Sequence, residues 1–498
     1  MNTYTKKERN MYLIGLMGQN VIYNIIATGM TFYFQSVIFI PAIAISVIMG
    51  VARIWDAIND PMMGTIVDRT RTKWGKCRPY LFFVPTIVMV TTFLTFVNKQ
   101  YSTANDAKTN TLIIGWAAVS YILWGMTYTA GDIPIWGITS LMTESEKDRA
   151  NILSWARIVA GIAGAAILLT IVPISQSVGA SFTGNGMSQK DGLQWGFIVV
   201  CGVLTVLGSV MFQCAAFVKE RVVQPSDEHK GFIDNVKIMW GCKPFRRNLI
   251  SGVLKAPIQL LLGVAMTLMS YYYGDNGGSG QSYMTYMAIL GGAMYGSQFV
   301  VMGFVPKLCE KFEKRTVYNA STLIGVIPFT ALFIMYLVDG TRLYETHWLV
   351  ITAIMFAMAG AGIGASTVMQ SILIADCVDF DEHRTGYRPD GIFFSGQSFI
   401  IKLGAGISSF IQGIVFALVG FSGDAVAACN EALAASPAND FMFATAPEFE
   451  AYRFGMFFLI SIPTAVSCVI SILPMLKYEI TNRKHKEIMN DLNKRRNA

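Results

Sequence analysis

The sequence predicts an all-α membrane protein with twelve transmembrane helices in two six-helix bundles. Composition is the first reason. Of 498 residues, 53% are hydrophobic and only 14% charged, whereas soluble domains carry about 25% charged residues. The second is the set of apolar runs long enough to cross a bilayer, which takes about 18 residues or more. They fall at about 11–40, 43–67, 80–98, 111–140, 151–172, 195–218, 248–273, 283–306, 316–338, 347–375, 391–421 and 452–476. Long alternating strands are absent, which argues against a β-barrel.

The third reason is the placement of basic residues. With both termini inside, the inner segments collect thirty Lys and Arg, and the outer loops hold Lys99, Lys108, Lys190 and Arg342. That asymmetry follows the positive-inside rule. It predicts a multi-pass protein of the plasma membrane, the inner membrane in a bacterium, with cytoplasmic termini. The formal charge of +7 then reports loops facing anionic lipid, not a nucleic-acid partner. Met1 to Asn10 is too short and polar for a signal peptide. On this topology Cys77 and Cys309 are cytoplasmic and Cys429 is the one outer-loop cysteine. No outer pair is left to form a disulfide, and no CxxC suggests zinc.

Organisation is bipartite. Residues 1–218 form an N-terminal six-helix bundle, 219–247 a polar cytoplasmic linker, and 248–498 a C-terminal six-helix bundle with a cytoplasmic tail. Two six-helix halves joined by a linker is the plan of the major facilitator fold. The glycine-rich run "GAGIGAS" (360–366) lies in an apolar helix with no strand before it. It reads as a helix-packing surface and not as a nucleotide loop.

Against this background "VARIWDAINDPMMGTIVDRTR" (51–71) stands out. Positions four apart share a helix face, so Asp56 and Asp60 stack, with Asn59 beside Asp56. A charge at the bilayer centre costs about 2.5–3.5 kcal/mol on insertion scales, so two of them call for a reason. Three oxygens in one small volume make a hard-cation site. Two close carboxylates also make a proton site, because like charge and desolvation raise a pKa. The competing structural use is pairing with Arg53.

A second polar group occupies the fourth span, "SYILWGMTYTAGDIPIWGIT". Thr129, Asp132 and Trp136 are spaced to face one cavity, and Pro134 loosens the backbone there. A carboxylate beside an indole suits a sugar, the acid accepting from hydroxyls while the ring covers a C–H face. The alternative is an interfacial tryptophan and a salt-bridged acid. The first span adds Gln19, Asn20, Tyr23 and Asn24. Arg157 and Lys402 are single cations in apolar surroundings, fit either as counter-charges or as ligand contacts.

The stretches "ARIWDAINDPMMG", "YILWGMTYT..DIP.W" and "DCVDFDEHRTGYRPDGIFFSGQSFIIKLGAG" resemble the glycoside–pentoside–hexuronide:cation symporters, the melibiose permease family, and the similarity runs along nearly the whole chain. The resemblance implies a coupling-cation (metal) site of Asp56, Asn59, Asp60 and Thr129. It implies that Asp132, Trp136 and Arg157 line the sugar site, with Lys402 close to both; Asn20, Tyr23 and Asn24 of the first span join them as substrate-binding candidates on the reading of that span itself. It also implies a gating role for Gly64, Asp68 and Arg69 in the loop "GTIVDRTRTKWGKCRP". One position departs: the family's permease for melibiose has an acid where this chain has Asn20. The amide removes a negative charge and makes an anionic sugar, such as a hexuronide, easier to accept.

The expected function is secondary active symport of a glycoside, pentoside or hexuronide with Na⁺ or H⁺ (Li⁺ being a further candidate) by alternating access. Partners are then a small sugar, a monovalent cation and the bilayer, with no organic cofactor, no nucleic acid and a monomeric state. A cation-dependent lysolipid transporter on the same fold is the alternative, and the Asp132–Trp136 pair favours sugar. A membrane enzyme is the weakest reading. His229, His383 and His485 lie in cytoplasmic segments and His347 near an outer helix end, and no nucleophile–base or metal spacing occurs inside the membrane.

Overall fold

The computed structural model describes residues 3–30, 33–102, 105–222, 232–273, 283–388, 390–420 and 443–497. Cys429, the expected outer-loop cysteine, lies outside them. Among the described residues every regular element is a helix, apart from one isolated bridge, Thr72 to Gly75. In chain order the α-helices are α1 (Lys6–Asn24), α2 (Ala42–Arg69), α3 (Arg78–Phe96), α4 (Ala107–Met142), α5 (Glu146–Gly184), α6 (Gln189–Gln213), α7 (Phe232–Gly241), α8 (Lys243–Leu254) and α9 (Leu260–Tyr271). They continue with α10 (Tyr283–Tyr286), α11 (Gly292–Lys311), α12 (Lys314–Ile324), α13 (Val326–Asp339), α14 (Thr346–Thr385), α15 (Asp390–Leu418), α16 (Glu450–Ile470) and α17 (Asn482–Asn497).

Nine helical segments among the described residues are long and apolar enough to cross a membrane, or ten if α8 and the helix after its 44° break make one span. The two remaining expected spans correspond to α1, continued by π-helical turns at Ile25–Met30 and Tyr33–Val37, and to α2. At 1.5 Å per residue, the 28 residues of α2 reach about 42 Å, more than the hydrocarbon thickness of roughly 30 Å.

The chain divides into two compact units. The first contains Met1–Cys242, Cys377–Phe399 and Asn490–Ala498; the second contains Lys243–Asp376 and Ile400–Met489. This grouping differs from the division by sequence over two stretches, the junction of α14 with α15 and the end of α17. The physical reason is charge. Asp390 lies 3.5 Å from Lys76, Asp379 pairs with Arg149, and His383 lies 3.4 Å from Asp491.

In the first unit α1 packs on α5 and α6, α3 on α4 and α6, and α2 on α4. Thr5 and Glu8 form a capping box at the start of α1, satisfying backbone donors that the helix itself leaves open. Arg221, beyond α6, reaches back to Glu8 at 2.7 Å. In the second unit α16 packs against α9 and α13, with the Tyr336 and Phe457 rings stacked at 4.7 Å. Gly360 and Gly364 of the "GAGIGAS" run lie directly against the Met294 and Gln298 carbonyls, where a Cβ would come within 2.1 and 2.7 Å. That run is a helix-packing surface. The Glu313 carboxylate accepts from the Asn482 N–H at 2.9 Å, while the Asn482 amide donates to the Phe312 carbonyl at 3.0 Å. These bonds tie the start of α17 to the junction of α11 and α12.

Burial pushes the Glu8 carboxyl up, but donors from Arg221 and Thr5 outweigh it and bring its pKa down to about 2. A depressed carboxylate stabilises the fold above its unfolded value and loses that contribution as pH falls through the folded value. Glu8→Gln should therefore cost about 1 kcal/mol at pH 7. Thermal unfolding of the purified protein across pH should show that deficit shrinking between the ordinary value of 4.5 and about 2.

Candidate functional site

Two buried polar groups occupy the first unit, one in mid-helix and one at helix ends. The mid-helix group begins on α2. Asp56, Asn59 and Asp60 are 9%, 4% and 0% exposed, so the spacing does bring three polar side chains into the protein interior. Asp60 Oδ1 accepts from Thr129 Oγ1 of α4 at 3.0 Å. Asp56 Oδ2 lies 3.6 Å from Arg53 Nη1, so the competing ion pair exists at this acid. Asn59 Nδ2 has no hydrogen-bond partner among the described residues. Pro61, inside α2, has no N–H, so the carbonyl of residue 57 lacks its helical donor. Two carboxylates, an amide and a hydroxyl thus lie buried along one stretch of α2 and α4, with the Arg53 guanidinium beside Asp56.

A short distance along α4, Asp132 accepts from Gln19 Nε2 at 2.7 Å and from Ser398 Oγ at 3.1 Å. Gln19 also donates to the Tyr128 hydroxyl and accepts from Asn20 Nδ2 at 2.7 Å. The Arg157 guanidinium stands over the Trp136 ring, 4.1 Å from its centroid, a cation–π contact worth about 0.5–2 kcal/mol. Tyr23 packs on Tyr128 with ring centroids 5.4 Å apart, and Tyr128 stacks on Trp124 at 4.9 Å. Asn24 donates to the Asn20 carbonyl at 2.8 Å. The residues expected at the sugar site on α1, α4 and α5 are thus gathered in this unit. Lys402 lies on α15 in the second unit, buried.

The second group sits where α2, α4, α5, α14 and α15 begin or end. Lys76 pairs with Asp68 and lies 3.5 Å from Asp390. Arg388 bridges Asp379 at 3.0 Å, Glu382, and Asp390 at 3.2 Å, and donates to the Ser140 carbonyl at 3.1 Å. Arg149 pairs with Asp379, and Ser140 donates to Asp390. Asp68 also accepts from the backbone N–H groups of Gly391 and Ile392, both at 2.8 Å, so it caps the first turn of α15. Burial pulls the Lys76 pKa down, but Asp68 and Asp390 outweigh it and hold the ammonium charged. Gly64 lies where a Cβ would meet the Gly391 carbonyl oxygen at 2.7 Å. Of the expected gating residues, Gly64 and Asp68 are therefore in the cluster, and Arg69 is exposed at the end of α2.

Sequence reasoning did not single out Tyr128, Ser398, Lys76, Arg149, Asp379, Glu382, Arg388 or Asp390. The signal was present: "DCVDFDEHR" sets acids among apolar residues, a pattern foreign to a solvated loop.

An all-helical chain with polar residues buried in mid-span and an ion-pair cluster at its helix ends defines a membrane carrier of the major facilitator class. The chain belongs to the MFS/sugar transport protein family, whose profile matches residues 11–482, and it is a transporter and not an enzyme. It is 27% identical to the isoprimeverose transporter of Lactiplantibacillus pentosus over 83% of this chain and 80% of that one. It is 24% identical to the glucuronide carrier protein homolog of Escherichia coli (strain K12) over 82% and 83%. Among solved structures, the E. coli fucose:proton symporter superposes with a TM-score of 0.55 at 13% identity, covering 91% of this chain and 98% of that one. That likeness shows the fold.

Gly64→Ala forces a methyl group against backbone atoms that cannot rotate away. Overpacking of this kind costs about 1–3 kcal/mol. Hydrogen exchange at the Gly391 and Ile392 amides should therefore accelerate by about 5–150-fold, as read by mass spectrometry of the purified protein.

Proposed function

We propose that the protein is a secondary active symporter that couples uptake of a sugar to Na⁺ or H⁺ by alternating access. The observation that carries this reading is the group of Asp56, Asn59, Asp60 and Thr129, buried in mid-helix. In this reading one monovalent cation binds beside Asp56 and Asp60 and offsets carboxylate charge that is buried there. A hard cation bound there is served by carboxylate, amide and hydroxyl oxygens. Binding of cation and sugar is then thermodynamically reciprocal, and a cation gradient drives accumulation.

In this reading Asp132, held by Gln19 and Ser398, accepts hydrogen bonds from sugar hydroxyls, and Trp136 covers an apolar sugar face. Arg157, Asn20, Tyr23, Asn24 and Lys402 complete the substrate set. With Asn20 an amide, Arg157 and Lys402 favour an acidic sugar such as a hexuronide over a neutral galactoside. The cluster around Asp68, Lys76 and Arg388 serves as the gate on its side of the site, closing when its ion pairs form. The basic asymmetry of the loops supports cytoplasmic termini, placing that gate on the cytoplasmic face, and the working unit is a monomer. The sugar-transporting relatives support sugar over a lysolipid.

Uptake of a panel of neutral and acidic glycosides into proteoliposomes, under an imposed Na⁺ or pH gradient, tests the coupling. Asp60→Asn should abolish uphill accumulation while leaving exchange. Asp56→Asn should remove Na⁺ stimulation, and any transport that survives should be driven by H⁺ through Asp60. Undiminished accumulation in the double variant would sink the mechanism. Trp136→Ala should weaken sugar binding by about 1–3 kcal/mol with cation affinity nearly unchanged. Isothermal titration checks this, and the reverse pattern would reassign the two sites.

A further inference from the structure

Glu220, three residues beyond the short helix Cys214–Phe217 that follows α6, turns its carboxylate onto the start of α3. Oε2 accepts from the Lys76 N–H at 2.8 Å, and Oε1 accepts from the N–H groups of Cys77 at 2.8 Å and Arg78 at 3.1 Å. These are donors that a helix N-terminus leaves unsatisfied, and a negative charge there is favoured by the helix dipole. Arg78 Nε in return donates to the Ala216 carbonyl at 2.8 Å. The carboxylate reaches this position only because residue 75 is glycine. Gly75 has φ of +115°, and a Cβ there would lie 2.6 Å from the Glu220 carboxyl atoms.

Glu220 is itself anchored. The next residue, Arg221, pairs with Glu8 of α1, and the N–H groups of Arg221 and Val222 donate to the Leu141 carbonyl of α4 at 2.7 and 3.1 Å. The backbone of Lys76 is therefore pinned from one side by Glu220. From the other side its ammonium reaches Asp68 and Asp390, and Asp68 caps the Gly391 and Ile392 amides. A chain of contacts runs from the end of α6, through one lysine, to the first turn of α15.

We propose that Glu220 is a positioning residue for the gate: it fixes the loop between α2 and α3 so that Lys76 can bridge Asp68 and Asp390. The proposal rests on the reading of that ion-pair cluster as a gate. A cap that served α3 alone would protect only the amides it binds. A residue that acts through Lys76 protects amides it never touches.

Hydrogen exchange on the purified, sugar-free protein separates the two. Glu220→Ala should accelerate exchange in residues 72–80 and also at Gly391 and Ile392, by about tenfold or more, the factor for losing a charge-assisted hydrogen bond. Lys76→Ala should do the same at Gly391 and Ile392. Adding Glu220→Ala to it should produce no further change there, since residues acting through one another are non-additive. Glu220→Gln, which keeps Oε1 but sets an amide nitrogen against the Lys76 N–H, should fall between, and it serves as the test should the alanine variant fail to fold. Acceleration confined to 72–80 overturns the role of Glu220, as does full additivity with Lys76→Ala. If Lys76→Ala leaves Gly391 and Ile392 protected, the gate reading fails as well as the proposal. If Lys76→Ala exposes them while Glu220→Ala does not, the gate stands and only the proposal falls.

Discussion

A carboxylate taken out of water must find charge or hydrogen-bond donors to replace its hydration, and the first unit meets that demand in two ways. At the helix ends, Asp68, Asp379, Glu382 and Asp390 are met by Lys76, Arg149 and Arg388 together with backbone and hydroxyl donors. Breaking such a group by removing one member costs about 3–5 kcal/mol, because the remaining charge is stranded. In mid-helix, Asp56 and Asp60 have Arg53 and Thr129 within reach. By count each group holds one more carboxylate than cation, four against three at the helix ends and two against one in mid-helix. The proposed roles of lock and ion site therefore rest on where the two groups lie, not on their charge balance.

Position along the helices matters as much as charge. Residues 68–78, 140–149 and 379–390 lie where helices end, so water can replace protein partners when the pairs separate. The gate proposed here needs that exchange, since it must not strand its ions in hydrocarbon. Asp56 and Asp60 lie in the middle of a 28-residue helix, with no such recourse. Proline serves the same region from the backbone side. Pro61 in α2 and Pro134 in α4 each free a carbonyl one turn earlier without ending the helix.

The parts legible in the sequence are those written in one helix at a time. Apolar runs are long enough to mark each span, and the four-residue spacing of Asp56 and Asp60 places them together. The burial of Asp132 and Trp136 on α4 follows from the same period. What periodicity cannot supply is the partner from a distant helix. Ser398 meets Asp132 across 266 positions and Asp390 meets Ser140 across 250, and nothing local announces either pair. Basic residues such as Lys76 and Arg149 read naturally as topological signals, because the positive-inside rule accounts for them without any partner. Their acids, Asp68 and Asp390 for Lys76 and Asp379 for Arg149, show that the same residues also pair in the interior.

The polar run after α6 makes the same point about linkers. By composition, residues from 219 onward read as a solvated connection. Yet Glu220, Arg221 and Val222 bond to the starts of α3 and α1 and to the end of α4. Three consecutive residues tie the ends of three helices that are also joined in mid-helix by hydrogen bonds such as Gln19 to Asp132 and Trp124 to Thr92. Apolar packing between helices in lipid gains little from water exclusion, since the tails are as apolar as the side chains. Hydrogen bonds and ion pairs, at the aqueous ends as well as in mid-helix, therefore carry much of what sets relative helix positions. A carrier that must move its helices as a body needs those ends fixed more than it needs a tighter core, and charged residues at a bundle's rim provide that fixing where a methyl group cannot.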